Sequence, residues 1–212
     1  MSFRSLAVAF TTSIALLGFS LSAQDLDRGK TLFKNCVACH GPKAHGNQLL
    51  NAPALAGLSV VYLETQVHNF KHSIRGADAR DQTGLLMRPM SMILQDEQAI
   101  KDVSAYIATM VAKVPADTLE GGDAAKGQAA YMLCLACHGP EAGGNELLKS
   151  PSLKYQSDWY MLAQLKKFKD GVRGSNPKDV GGMQMRPMSM TLVDEQAMKD
   201  VIAHIRSISP QE

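Results

Sequence analysis

Apolar positions recur along this chain at helical spacing, and no stretch shows the strict alternation of a half-buried strand. Ile100, Val103, Ile107 and Met110 fall on one face, which predicts a helix from Asp96 to about Val111. The same pattern predicts another from Asp194 to Ile208. Tyr62, Gln66 and Phe70 stand four residues apart in a predicted helix from Ser59 to Ile74, closed by Arg75-Gly76, where glycine suits the position after a helix end. Its counterpart spans Ser157 to Val172 and is closed by Arg173-Gly174. A first helix is predicted from Asp25, a suitable N-cap, to Ala38, with a counterpart from Asp123 to Ala136. Between these elements the reading places a Gly/Pro/Asn-rich loop, Gly41 to Gly57, and a second loop carrying a Met-Arg-Pro-Met segment. The fold class is therefore all-α.

The elements come in matched pairs because the chain repeats itself. A shift of 98 residues sets Cys134 on Cys36 and overlays the second half on the first without an insertion. Met87-Arg-Pro-Met-Ser-Met92 matches Met185-Arg-Pro-Met-Ser-Met190 throughout, and Asp96-Glu97-Gln98-Ala99 matches Asp194-Glu195-Gln196-Ala197. From Asp25 to Val114, 40 of 90 aligned pairs are identical, which two tandem copies of one small domain explain simply. Pro115 and Gly121-Gly122 interrupt the helical pattern between them, so the divisions read as 1–23, 24–116 and 117–212.

Composition narrows the chemistry. The 212 residues carry a net charge of +2 and no lysine or arginine run that could track phosphates, which argues against nucleic acid as a partner. All four cysteines lie in Cys36-Val37-Ala38-Cys39-His40 and Cys134-Leu135-Ala136-Cys137-His138. Cys-x-x-Cys-His is the pattern for covalent attachment of haem c: two thiols add to the two vinyl groups, and the next residue offers an imidazole to the iron. A thioredoxin-like pair would want a βαβ pattern nearby, and none is visible. A shared zinc ribbon is disfavoured because each pair carries its own histidine inside its own repeat. The implied cofactors are two covalently bound haem c groups, on Cys36 and Cys39 and on Cys134 and Cys137, with His40 and His138 as axial ligands.

Each iron then needs a sixth ligand or an open site. The chain has 12 methionines, and thioether sulfur paired with histidine marks electron-transfer haems. Met87, Met90 and Met92 compete in the first copy; Met183, Met185, Met188 and Met190 compete in the second. The remaining ones would pack the haem pocket. Arg75, Arg88, Arg173 and Arg186 are candidates to pair with haem propionates, against the alternative of solvated helix ends. Tyr155 and Trp159 read as core aromatics, with a haem-two contact as the alternative. His45, His68, His72 and His204 have no histidine at the equivalent position of the other copy, which argues against iron ligation.

From about Asp25 to the C-terminus the chain resembles the cytochrome c4 family, periplasmic di-haem proteins built of two tandem class I cytochrome c domains. The resemblance implies a ligand methionine seven residues before the leucine that opens an acidic helix start. Counting back from Leu94 and Leu192 gives Met87 and Met185, with Met90 and Met188 as runners-up. It also implies that the Pro53 and Pro151 carbonyls accept hydrogen bonds from the two proximal histidines. One departure stands out: Pro53-Ala-Leu-Ala-Gly57 keeps the family loop, whereas Pro151-Ser-Leu-Lys-Tyr155 loses its glycine.

The N-terminus reads as an export signal: Arg4, an apolar stretch from Leu6 to Leu21, and cleavage after Ala23. An uncleaved anchor, and with it peripheral membrane association, is the alternative. Export with covalent haem points to the periplasm. The function read from all this is an electron carrier and not an enzyme. Its donor would be a membrane quinol-oxidising complex or a periplasmic dehydrogenase, and its acceptor a terminal oxidase or reductase. The alternatives are an electron-transfer subunit of a periplasmic dehydrogenase, for example one oxidising a sulfur compound, and a di-haem peroxidase, which would need an open distal site. Domains of about 90 residues have small cores, so each copy should fold around its porphyrin and be poorly stable without it.

Overall fold

A computed structural model describes residues 23–209. The export signal expected over residues 1–23 lies, but for Ala23, outside the described residues. Among those described, ten α-helices run in two matched sets of five, with no named strand. The first set is α1 (Leu26–Phe33), α2 (Val37–His40), α3 (Val60–Lys71), α4 (Gln82–Met92) and α5 (Glu97–Ala108). The second is α6 (Ala124–Tyr131), α7 (Leu135–His138), α8 (Asp158–Lys169), α9 (Val180–Met190) and α10 (Glu195–Ser207). None of these helices is long and apolar enough to cross a membrane.

Capping explains where the long helices begin. Asp25 accepts from the Arg28 N–H, Ser59 from Tyr62 and Asp96 from Ala99, each satisfying an amide that has no partner inside its helix. In each copy the terminal helices cross closely, α1 on α5 and α6 on α10. Glycine makes the approach possible: a Cβ on Gly29 would lie 2.2 Å from the Asp102 carbonyl oxygen, and one on Gly127 1.9 Å from that of Asp200. The buried Asp102 carboxylate closes the same junction, accepting from the Asp25 N–H at 2.9 Å, Arg28 at 3.0 Å and Gln98 at 2.7 Å. Each copy has its own core, around Phe33, Leu63, Ile100 and Val103 in the first and Tyr131, Met161, Val201 and Ile202 in the second.

Two predicted elements differ. The first helix does not continue to Ala38. It ends at Phe33, where Lys34, Asn35 and Cys36 donate to carbonyls three residues back and tighten the chain into a turn. The second copy breaks identically after Tyr131. The Met-Arg-Pro-Met segments are helical, in α4 and α9, although each contains a proline. Asp81 and Asp179 start these helices by accepting from Gly84 and Gly182 at 3.0 Å. Pro89 and Pro187 then forgo one backbone bond each without stopping the helix.

The copies meet through their middle helices in a near-symmetric network. Arg75 donates to Gln66 at 2.7 Å in its own copy, and to Tyr160 at 3.1 Å and Gln164 at 3.0 Å across the interface. Arg173 mirrors it, donating to Gln164 at 3.0 Å, Tyr62 at 3.2 Å and Gln66 at 3.0 Å. Lys167 pairs with Asp81 at 2.6 Å, and in the mirrored position Asn69 donates to Asp179 at 3.3 Å.

The altered loop of the second copy also lies at this interface. A Cβ on Gly57, whose φ is +85°, would come within 2.4 Å of the Tyr155 ring. Gln156 donates to the Ala54 carbonyl at 2.9 Å. Position 57 holds glycine and its counterpart tyrosine because the ring of one occupies the space left by the other.

Candidate functional site

The turn that ends α1 sets the geometry of the first Cys-x-x-Cys-His stretch. Cys36 caps α2, Cys39 lies within it and His40 is its last residue, after which Gly41 turns the chain away at φ 78°. Cys36 is half-buried and Cys39 exposed. Before a haem is attached, burial, with the neighbouring Cys39 adding, pushes the Cys36 thiol up to about 11; burial and the neighbouring Cys137 push Cys134 up to about 11.

His40 and His138 are buried, and the Nδ1 of each lies against a proline carbonyl, Pro53 at 2.9 Å and Pro151 at 3.0 Å. Burial lowers the pKa of both rings and the carbonyl contact partly offsets it, so both stay neutral at pH 7. A neutral ring donating from Nδ1 keeps its Nε2 lone pair for a metal, and the carbonyl fixes its orientation. The loop supplying that carbonyl is tied back to the buried Ala44, whose carbonyl accepts from Leu55 at 2.8 Å and Ala56 at 3.1 Å. In the second copy Leu153 and Lys154 donate to Ala142. The loss of glycine at position 155 leaves this tie intact.

The methionines separate by burial. Met87 is partly buried, while Met90 and Met92 are exposed. Met185 is partly buried against the second core, while Met183, Met188 and Met190 are exposed.

For Arg75 and Arg173, the alternative of a solvated helix end does not hold. Arg75 and Arg173 are 8% and 7% exposed, each over a phenylalanine of its own copy, Phe70 or Phe168. Their hydrogen-bond partners are the neutral amides and phenols of the interface. The Nε of each is buried without a partner, as is the Nε of Arg88, whose Nη2 donates to Ser73 at 2.7 Å. Burial would raise the Tyr160 phenol, but the charges of Arg75 and Arg173 outweigh it and hold it below its ordinary range. The direct partners of both guanidinium groups are neutral, and Arg75 also feels the charge of the buried Asp81 carboxylate. The repeat of Tyr62, Gln66 and Arg75 at 160, 164 and 173 was the available signal.

Of the remaining groups, His45 contacts the Val111 carbonyl at 2.9 Å, and His204 packs on the Tyr131 ring. Trp159 stands edge-on to Tyr160. His68 and His72 lie side by side on α3.

The family model for cytochrome c matches this chain twice, over residues 26–111 and 124–209. A thiosulfate dehydrogenase electron acceptor of Stutzerimonas stutzeri is 30% identical, the match covering 91% of this chain and 92% of the relative. A cytochrome c4 of Thiocapsa roseopersicina is 34% identical over 76% of this chain and 81% of its own length. The crystal structure of reduced recombinant cytochrome c4 from Pseudomonas stutzeri superposes with a TM-score of 0.68 at 26% identity, covering 87% of this chain and 98% of that one.

Proposed function

We propose that this chain, which belongs to the cytochrome c family as a di-haem protein of the c4 type, carries electrons between periplasmic redox proteins through two haems that each have a histidine and a methionine on iron. Its cofactors are two covalently bound haem c groups, one on Cys36 and Cys39 and the other on Cys134 and Cys137. When bound, each iron cycles between ferric and ferrous states.

The chain's own groups fit that task. His40 and His138 are held by Pro53 and Pro151 with Nε2 available. Met87 and Met185 are the partly buried methionines of α4 and α9, and we assign them as the opposite ligands. The unpartnered Nε–H groups of Arg75, Arg88 and Arg173 suit haem propionates, whose charge would compensate the buried guanidinium groups. The observation that carries the reading is that one histidine, one proline carbonyl and one partly buried methionine recur at matched positions in both copies. A closed site of this kind favours carriage over substrate chemistry, and we place the divide between the domains at residues 116 and 117.

In the oxidised protein both haems should show the weak far-red band of methionine-to-iron ligation, and the reduced protein should not bind carbon monoxide. Met87→Ala and Met185→Ala should each remove about half the band and open one haem to carbon monoxide, whereas Met90→Ala and Met188→Ala should not. Loss of the band in Met90→Ala would refute the assignment.

A narrower reading is supported by the relative named as a thiosulfate dehydrogenase electron acceptor. Here the electrons come from a periplasmic dehydrogenase that oxidises a sulfur compound. Stopped-flow reduction by such an enzyme with thiosulfate, compared with reduction by a quinol-oxidising membrane complex, distinguishes the donors. Rapid saturable reduction by the second alone would sink the narrower reading.

A further inference from the structure

The first copy carries a cluster outside the haem sites that the second copy lacks. His68 and His72 stand one turn apart on α3 with ring centroids 4.2 Å apart. Glu97, the first residue of α5, faces them, and one ligand atom from each of the three lies within 4.8 Å of the others. His68 is partly buried; His72 and Glu97 are exposed. Glu64, one turn before His68, is close enough to feel the cluster: burial raises its carboxyl, Lys101 draws it back, and the charge of Glu97 adds to the rise.

The repeat supplies an internal control. The same three positions of the second copy are Lys166, Asp170 and Glu195, and Lys166 pairs with Glu195 at 2.5 Å. There the chain provides its own cation for the glutamate. In the first copy an imidazole replaces that ammonium, and a second imidazole stands one turn further on.

We propose that His68, His72 and Glu97 form a binding site for a divalent transition metal, zinc or copper. Two imidazoles at i and i+4 with one carboxylate are a donor set for borderline cations, whereas magnesium and calcium prefer oxygen alone. Metal bonds to such donors are about 2.0–2.2 Å, so the side chains must close in from their present spacing. His72 is the exposed residue that ends α3, which leaves its ring room to turn. Water, or the carboxylate of Glu64, completes the shell. The site is independent of the haem ligand assignment.

The test uses the full protein with both haems attached, stripped with a chelator. Titration with Zn²⁺ alone by calorimetry should show one saturable site. Cu²⁺ should show nitrogen hyperfine structure in its paramagnetic resonance spectrum. The exchange His68→Lys with His72→Asp installs the second copy's residues. It should keep the haem spectrum and melting temperature and weaken binding by roughly tenfold or more for each imidazole lost. His72→Asn alone should weaken it roughly tenfold, and it serves if the double exchange disturbs folding. No saturable Zn²⁺ binding, or wild-type affinity in either variant, overturns the proposal.

Discussion

At the scale of single residues, the interface shows how one position constrains another. Gly57 combines a left-handed backbone with the Tyr155 ring 2.4 Å from where a Cβ would stand. Gly57→Ala should therefore destabilise the protein by about 2–3 kcal/mol, part from overpacking and part from backbone strain. In a Tyr155→Ala background the ring contact disappears and only the Ala112 Cβ, 2.9 Å from the new methyl, still presses on it, so the same change should cost about 1–2 kcal/mol. Denaturant unfolding of the four proteins in this cycle measures the coupling; additive costs would show that the ring does not press on position 57. The motif cysteines and histidines were legible from sequence because covalent attachment dictates their spacing. Haem chemistry alone left three or four methionines open in each copy; the family resemblance, by its spacing to Leu94 and Leu192, pointed to Met87 and Met185, which are the partly buried ones. Arg75 and Arg173 were left between propionate pairing and a solvated helix end because the glycine after each marks a helix end, and a helix end looks exposed until a second copy covers it.

At the scale of elements, what positions each site is a pair of crossing helices, and that crossing tolerates no side chain. Gly29→Ala would set a Cβ against the Asp102 backbone, a contact that cannot be relieved by a rotamer change. It should destabilise the first copy by roughly 3 kcal/mol. Amide hydrogen exchange of the protein with both haems attached should show the loss of protection in the first copy alone; equal loss in both would mean that they unfold as one unit. The terminal and middle helices were legible because their apolar faces and caps agree. The helical Met segments were not, since Gly84 and Pro89 both argue locally against a helix. The carboxylate of Asp81 supplies the start, and packing of α4 against α3 does the rest. The early stop of α1 escaped notice because Lys34 and Asn35 are compatible with a helix, and the tight turn that ends it is a matter of backbone geometry.

At the scale of the whole molecule, the two copies are held in register by polar groups, and charge makes that register sensitive to acid. Asp81 is 2% exposed and pairs with Lys167 across the interface. Burial alone would raise its carboxyl; the hydrogen bond and charge of Lys167, the Gly84 N–H and the charge of Arg75 outweigh this and hold it below the usual carboxylate range. A carboxylate depressed in the folded state stabilises it fully above its unfolded pKa, about 3.9. That contribution is lost as pH falls through the lower folded value. Lys167→Met removes the main compensating charge and strands a buried carboxylate. It should cost about 3 kcal/mol near pH 7, the lower end for a broken buried pair because Lys167 keeps some contact with solvent. For a chain of this length that is roughly 6–12 °C in melting temperature. In the variant burial dominates, the folded carboxyl rises, and protonation relieves the penalty, so the gap to wild type should narrow as pH falls from 7 toward 3. Melting curves across that range decide the matter. A gap that stays constant with pH would mean that Lys167 acts by packing, and that the register of the two haem domains does not depend on this ion pair.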